Sequence, residues 1–144
     1  MDPDTSQLLF PVQSYVVRTS HHTILIDSCV GNDKDRPTRP HWHLKTDNTY
    51  LTALAAHGIP PEAIDFVMCT HLHSDHVGWN TRLDNGRWVP TFPNARYIFS
   101  KKELEAWRDI GHEKFSRTPF EDSVLPVLEA GRAELVADDY ALDD

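Results

Sequence analysis

The chain is poor in cysteine, in positive charge and in long apolar runs, and each shortage removes a class of protein. Among its 144 residues, Cys29 and Cys69 are the only cysteines. They lie far apart and outside any C-x-x-C arrangement, which excludes a disulfide framework and a thiolate zinc knuckle. Cys69 ends an apolar run and reads as a small buried hydrophobe. Lys and Arg number 14 against 22 Asp and Glu, a formal net charge of -8. No basic cluster offsets that balance, so a surface that tracks nucleic-acid phosphate is excluded. Nothing approaches the roughly 20 apolar residues of a membrane span, and the opening MDPDTSQLLFPVQ lacks the basic start of a secretory signal. The expectation is a cytoplasmic chain that binds neither membrane nor nucleic acid.

What is present suffices for one core, since 40% of the residues are hydrophobic and the length is that of one domain. SYVVR (14–18) and TILID (23–27) are β-rich runs around a polar TSHH turn and predict a hairpin. From Val30 to Lys45 the sequence is loop chemistry, long enough to suggest a functional loop. A helix follows, with Thr46 or Asp47 as N-cap, Tyr50, Leu51, Leu54 and Ala55 at helical spacing, and Gly58 as stop. FVMCT (66–70) predicts a buried strand and ARYIFS another. Ser100 and Glu103 form a capping box opening a helix that contains Leu104 and Trp107. EDSVLPVLEAG is a helix candidate interrupted near Pro126, and AELVA a last strand before an acidic, solvated tail.

The strongest signal is HLHSDH, residues 71–76, placed where the FVMCT strand ends. Such strand ends are where α/β proteins build their sites. Residues two apart in an extended segment point the same way, so His71 and His73 can share one ion, while Asp75 and His76 face a neighbouring position. Imidazole with a carboxylate suits zinc, and also iron or manganese; without cysteine the site is an open, catalytic type. A (β/α)₈ barrel, where H-x-H also occurs at strand ends, needs roughly 200 residues or more, and the trailing Asp75-His76 fits it poorly.

HLHSDH resembles the H-x-H-x-D-H motif of the metallo-β-lactamase superfamily. LIDSCVGNDKDRP, CTHLHSDHVGWNT and GRWVPTFPNARYIFSKKELEAW are similar to its branch of lactonases and methyl-parathion-hydrolase-like enzymes. The resemblance spans nearly the whole chain. It implies an α/β fold, the αββα sandwich, and two zinc ions per intact site. By that resemblance His71 and His73 would bind the first ion, Asp75 and His76 the second, and Asp27 would support them from behind. It also implies a third histidine, a bridging aspartate and a last histidine, which nothing after His76 supplies as a set. His112 follows a glycine but sits after a helix, where a surface role is expected. The expectation is therefore one partial domain over 1–144, the N-terminal half of the sandwich: a mixed sheet with flanking helices and an exposed apolar face.

Other residues carry weaker readings. Trp79, Trp88 and Phe92 would either wall an apolar acyl or aryl pocket or pack in the core. His41 and His43 lie in a proline-flanked loop without a neighbouring carboxylate and read as loop polarity, and Trp42 as a surface ring. His57 suits the last turn of its helix. Lys34, Arg36 and Arg39 read as a solvated loop, and Ser28 and Ser74 lack the base that a serine nucleophile needs. The function expected of the intact form is zinc-dependent hydrolysis of a lactone or related ester, with phosphotriesters as a further class, the 144-residue chain by itself being expected to fall short of it. Two alternatives stand beside it: a non-catalytic chain that binds metal weakly or pairs with a second copy as a homodimer, and a thioesterase of the glyoxalase II kind.

Overall fold

A computed structural model describes residues 3–4, 6, 8–110 and 114–142. The predicted hairpin forms as β1 (Tyr15–Arg18) and β2 (Thr23–Ile26), antiparallel with Val16 opposite Leu25. β3 (Phe66–Met68) lies parallel to β2, β6 (Arg96–Ser100) parallel to β3, and β7 (Ala133–Val136) parallel to β6. The result is a five-stranded mixed sheet in the order β1-β2-β3-β6-β7. A separate hairpin, β4 (Thr81–Asp84) and β5 (Arg87–Pro90), turns through Asn85 and Gly86, both at positive φ. That Asn-Gly pair is the sequence chemistry a tight two-residue turn requires.

The register sorts the side chains by face. Leu25, Val67 and Tyr97 are cross-strand neighbours, fully buried in one cluster with Phe99, Leu104, Val124 and Val127. The other face carries Ile24, Ile26, Phe66, Met68 and Ile98, outside that cluster. At its edge Tyr15 and Val17 are 58% and 40% exposed. Among the described residues no helix is long and apolar enough to cross a membrane.

The helices differ from expectation in detail. α1 (Thr49–Ala56) starts after Asn48, later than the Thr46 or Asp47 cap predicted. Asp47 instead accepts the Thr49 amide and pairs with Lys45. Gly58 sits past the helix end at φ +70, as a left-handed stop requires. α2 (Lys101–Ile110) follows β6 directly, and the Ser100 hydroxyl accepts the Glu103 amide at 3.4 Å. The interrupted candidate resolves into α3 (Lys114–Ser123) and α4 (Leu125–Glu129), separated at Val124 with Pro126 in the first turn of α4. Proline is tolerated there because the first helical amides have no intrahelical acceptor.

The loop of basic residues is the main correction. Lys34 is fully buried and Arg36 nearly so. Arg36 makes a two-pronged pair with Asp122 of α3, at 2.7 and 2.9 Å. The Lys34 ammonium donates to the Thr81 hydroxyl at 2.6 Å and the Asp122 carbonyl at 3.0 Å, and lies 3.6 Å from the centroid of the Trp88 ring. Asp122, 86 positions beyond Arg36, makes burial of both cations tolerable. Burial depresses the Lys34 pKa to about 7. His43, expected to have no carboxylate near it, lies 3.3 Å from Asp35.

Candidate metal centre

Residues 70 to 80 fold back over the end of β2, held by backbone contacts. The Ser28 amide donates to the His76 carbonyl at 2.6 Å, Gly78 to Cys29 at 2.7 Å, and Trp79 to Ser28 at 2.9 Å. The approach needs glycine: a Cβ on Gly78 would lie 1.9 Å from the Val30 carbonyl carbon, and one on Gly31 2.4 Å from the Gly78 oxygen. Asp27 and Cys29 both sit at positive φ, at 56° and 51°. Backbone in this region is costly for residues with a side chain and persists where the surroundings fix it. Here the turn aims Asp27 into the loop.

Asp27 is 7% exposed and organises what surrounds it. Its Oδ1 accepts the Thr70 amide at 2.8 Å, and both oxygens contact the Thr70 hydroxyl. Its Oδ2 lies 2.8 Å from His76 Nδ1. A carboxylate only accepts, so Nδ1 carries a proton toward Asp27. His76 Nε2 is 3.5 Å from Asp75 Oδ2. On the other side, His71 Nε2 and His73 Nδ1 face each other at 2.9 Å. The His71 and His76 rings have centroids 4.0 Å apart. Burial, then the neighbouring His76 and His73, lower the His71 pKa and favour its neutral form.

The structure therefore gathers all four motif residues and Asp27 around one loop. His71 meets His73 on one side and His76 on the other, and Asp75 lies beside His76. Among the described residues no three His, Cys, Asp or Glu side chains converge as a metal-holding group. Imidazoles beside a carboxylate, one with its Nδ1–H held by Asp27, are donor types that zinc, iron or manganese takes. Two donors to an ion would be fewer than the three protein ligands of a catalytic zinc. His112 lies outside the described residues.

The remaining candidates separate. Phe92 is fully buried, its ring centroid 6.5 Å from that of Tyr97, and belongs to the core. Trp88 is half-buried beneath Lys34. Trp79 is buried and stacks on Tyr50 at 5.6 Å. None of the three lines the cavity of ≈ 610 Å³ that opens beside His73 and Asp75, whose walls include Phe10, Val12, Trp42 and Trp107. Arg39 lies over the Trp42 ring at 5.3 Å. Ser28 donates to Asn80 Oδ1 at 2.8 Å, so its hydroxyl has a structural partner and no base. Burial pushes the Cys69 thiol up to about 12 and raises Cys29 as well, leaving both unreactive.

Sequence reasoning missed Glu103 and Thr70. Thr70 grips Asp27. Glu103 Oε1 accepts the Leu72 amide, inside the motif, at 3.1 Å. A capping box alone assigns that glutamate a purely helical task.

This donor set lies on a loop at the end of a strand of the mixed sheet. The chain belongs to the metallo-β-lactamase superfamily, whose family profile matches residues 8–139. Several solved structures share the fold, among them three hydrolases. The hydrolase AbOPH of the β-lactamase superfamily is 23% identical with a TM-score of 0.66, over 90% of this chain and 44% of that one. The dizinc quorum-quenching lactonase AidC is 19% identical with a TM-score of 0.64, over 88% and 43%. An N-acyl homoserine lactone hydrolase, solved with its product at the catalytic metal centre, is 21% identical with a TM-score of 0.63, over 92% and 50%. The chain spans half or less of the length of these structures. No curated protein sequence matches it significantly.

Proposed function

We propose that this chain carries the zinc-holding loop of a hydrolase that opens a lactone or related carboxylic ester, with phosphotriesters as a second class. The observation that supports the reading most is the pairing of donors, His71 Nε2 with His73 Nδ1 and His76 Nε2 with Asp75 Oδ2, across one Asp27-anchored loop. His71 and His73 would hold one ion, Asp75 and His76 the other. When bound, such a pair lowers the pKa of a shared water and polarises the carbonyl or phosphoryl oxygen. Asp27 fixes the His76 tautomer and ring plane, which is how a carboxylate behind a ligating histidine raises affinity. The apolar walls contributed by Phe10, Val12 and Trp107 would receive the acyl or aryl part of the substrate and thin the water around it. Iron or manganese would satisfy the same donors.

A second reading rests on the absence of any third converging donor among the described residues. Under it the chain binds metal weakly by itself and acquires full coordination from a second copy. Zinc-supplemented chain would be assayed for hydrolysis of an acyl lactone, a phosphotriester and a thioester, beside a His71→Ala/His76→Ala control. Lactone turnover lost in the control is expected. Turnover of the thioester alone would move the assignment to the thioesterase class, and none above the control would leave the non-catalytic reading.

A further inference from the structure

We propose that Glu103 is a positioning residue for the His71 and His73 pair, holding that half of the loop as Asp27 holds His76. Asp27 reaches the motif from the end of β2 and contacts Thr70 and His76. Glu103 reaches it from the first turn of α2. Its Oε1 accepts the amide of Leu72, the residue between the two histidines, at 3.1 Å. The same oxygen accepts the Trp107 indole N–H at 3.1 Å. The Trp107 ring stands edge-on to His73, with centroids 6.0 Å apart. One carboxylate oxygen therefore fixes the peptide that carries both imidazoles and the ring that walls one of them. Leu72 itself is 1% exposed, so its side chain pins the peptide from the core side while Glu103 holds it from above. Charged acceptors bind amides more strongly than neutral ones, and a preorganised peptide lets both imidazoles meet an ion without a further ordering cost.

The consequence for metal affinity rests on the zinc-site reading; the positioning itself does not. Imidazole nitrogen resonances of the metal-free chain and a cobalt(II) titration read by visible absorbance would separate the two. Glu103→Ala and Glu103→Asp both withdraw the acceptor, the second keeping the charge and the helix. Each is expected to move the His71 and His73 resonances more than those of His76, and to weaken cobalt binding on the order of 10- to 100-fold. Glu103→Gln, which keeps an acceptor oxygen at the same reach, is expected to restore both toward wild type. Asp27→Asn is expected to move His76 most. Unmoved His71 and His73 resonances in Glu103→Asp would overturn the proposal, as would a Glu103→Gln variant shifted as far as Glu103→Ala. A wild-type chain that binds no cobalt would remove the metal reading, while the resonances would still decide the role of Glu103.

Discussion

Replacing Asp122 with alanine tests how the loop from Val30 to Lys45 is held. In the wild type Asp122 is 5% exposed and binds Arg36 through both oxygens, while Lys34 lies 3.8 Å away and is fully buried. Removing it leaves two buried cations, but they do not respond alike. Asp122 is the largest influence holding the Lys34 pKa up against burial. Without it that pKa falls below about 7 and the lysine sheds its proton at neutral pH. Arg36 cannot do so. The cost is then that of an uncompensated buried guanidinium, about 3 to 5 kcal/mol for a broken buried pair. Against a total stability of roughly 5 to 15 kcal/mol for a domain, this is a large fraction. At roughly 2 to 4 °C per kcal/mol for this size, Tm should fall by about 10 °C. Urea unfolding followed by tryptophan fluorescence would measure it, with the m-value confirming that the same surface unfolds. A loss under about 1 kcal/mol at unchanged m, the size expected of an exposed pair, would refute the claim that the clasp is buried.

Lys34 also makes stability depend on pH. Its folded pKa of about 7 lies below the ordinary 10.5, so between these values the unfolded chain holds more protons and stability rises with pH. Wild-type urea midpoints should climb from pH 7 to pH 9, and Lys34→Met should flatten that climb; an equal slope in both would contradict it. Asp27→Asn should weaken zinc binding on the order of 10- to 100-fold by unsettling the His76 tautomer, as a competitive chelator titration would report. Gly78→Ala drives a Cβ to 1.9 Å from backbone of Val30, which cannot be relieved by a side-chain shift. That variant should lose several kcal/mol and its zinc binding together, and a wild-type melting curve would speak against the close approach.

The legible parts of this protein were the local ones. The hairpin at 14–27 and the strand before the motif are contiguous in sequence, and alternation alone places them; HLHSDH stood out as a cluster by its residue types. The Asn85-Gly86 turn was also legible in its dipeptide, although the hairpin it makes went unread. What escaped depends on partners distant in the chain. Glu103 looks like the second half of a capping box until Leu72 is brought beside it, 31 positions earlier. Lys34 and Arg36 look solvated until α3 delivers Asp122. Phe92 could have been wall or core, and only the packing of Tyr97 decides for the core. Asp27 was reached through family resemblance, since no spacing rule links it to His76, 49 residues away.

The central claim is that His71, His73, Asp75 and His76 form a metal centre in this chain. Metal content per chain, by plasma mass spectrometry on zinc-loaded and desalted protein beside the His71→Ala/His76→Ala variant, tests it most directly. About two retained ions per chain, lost in the variant, is the result expected. Equal metal in the two proteins, or almost none in either, would contradict the claim.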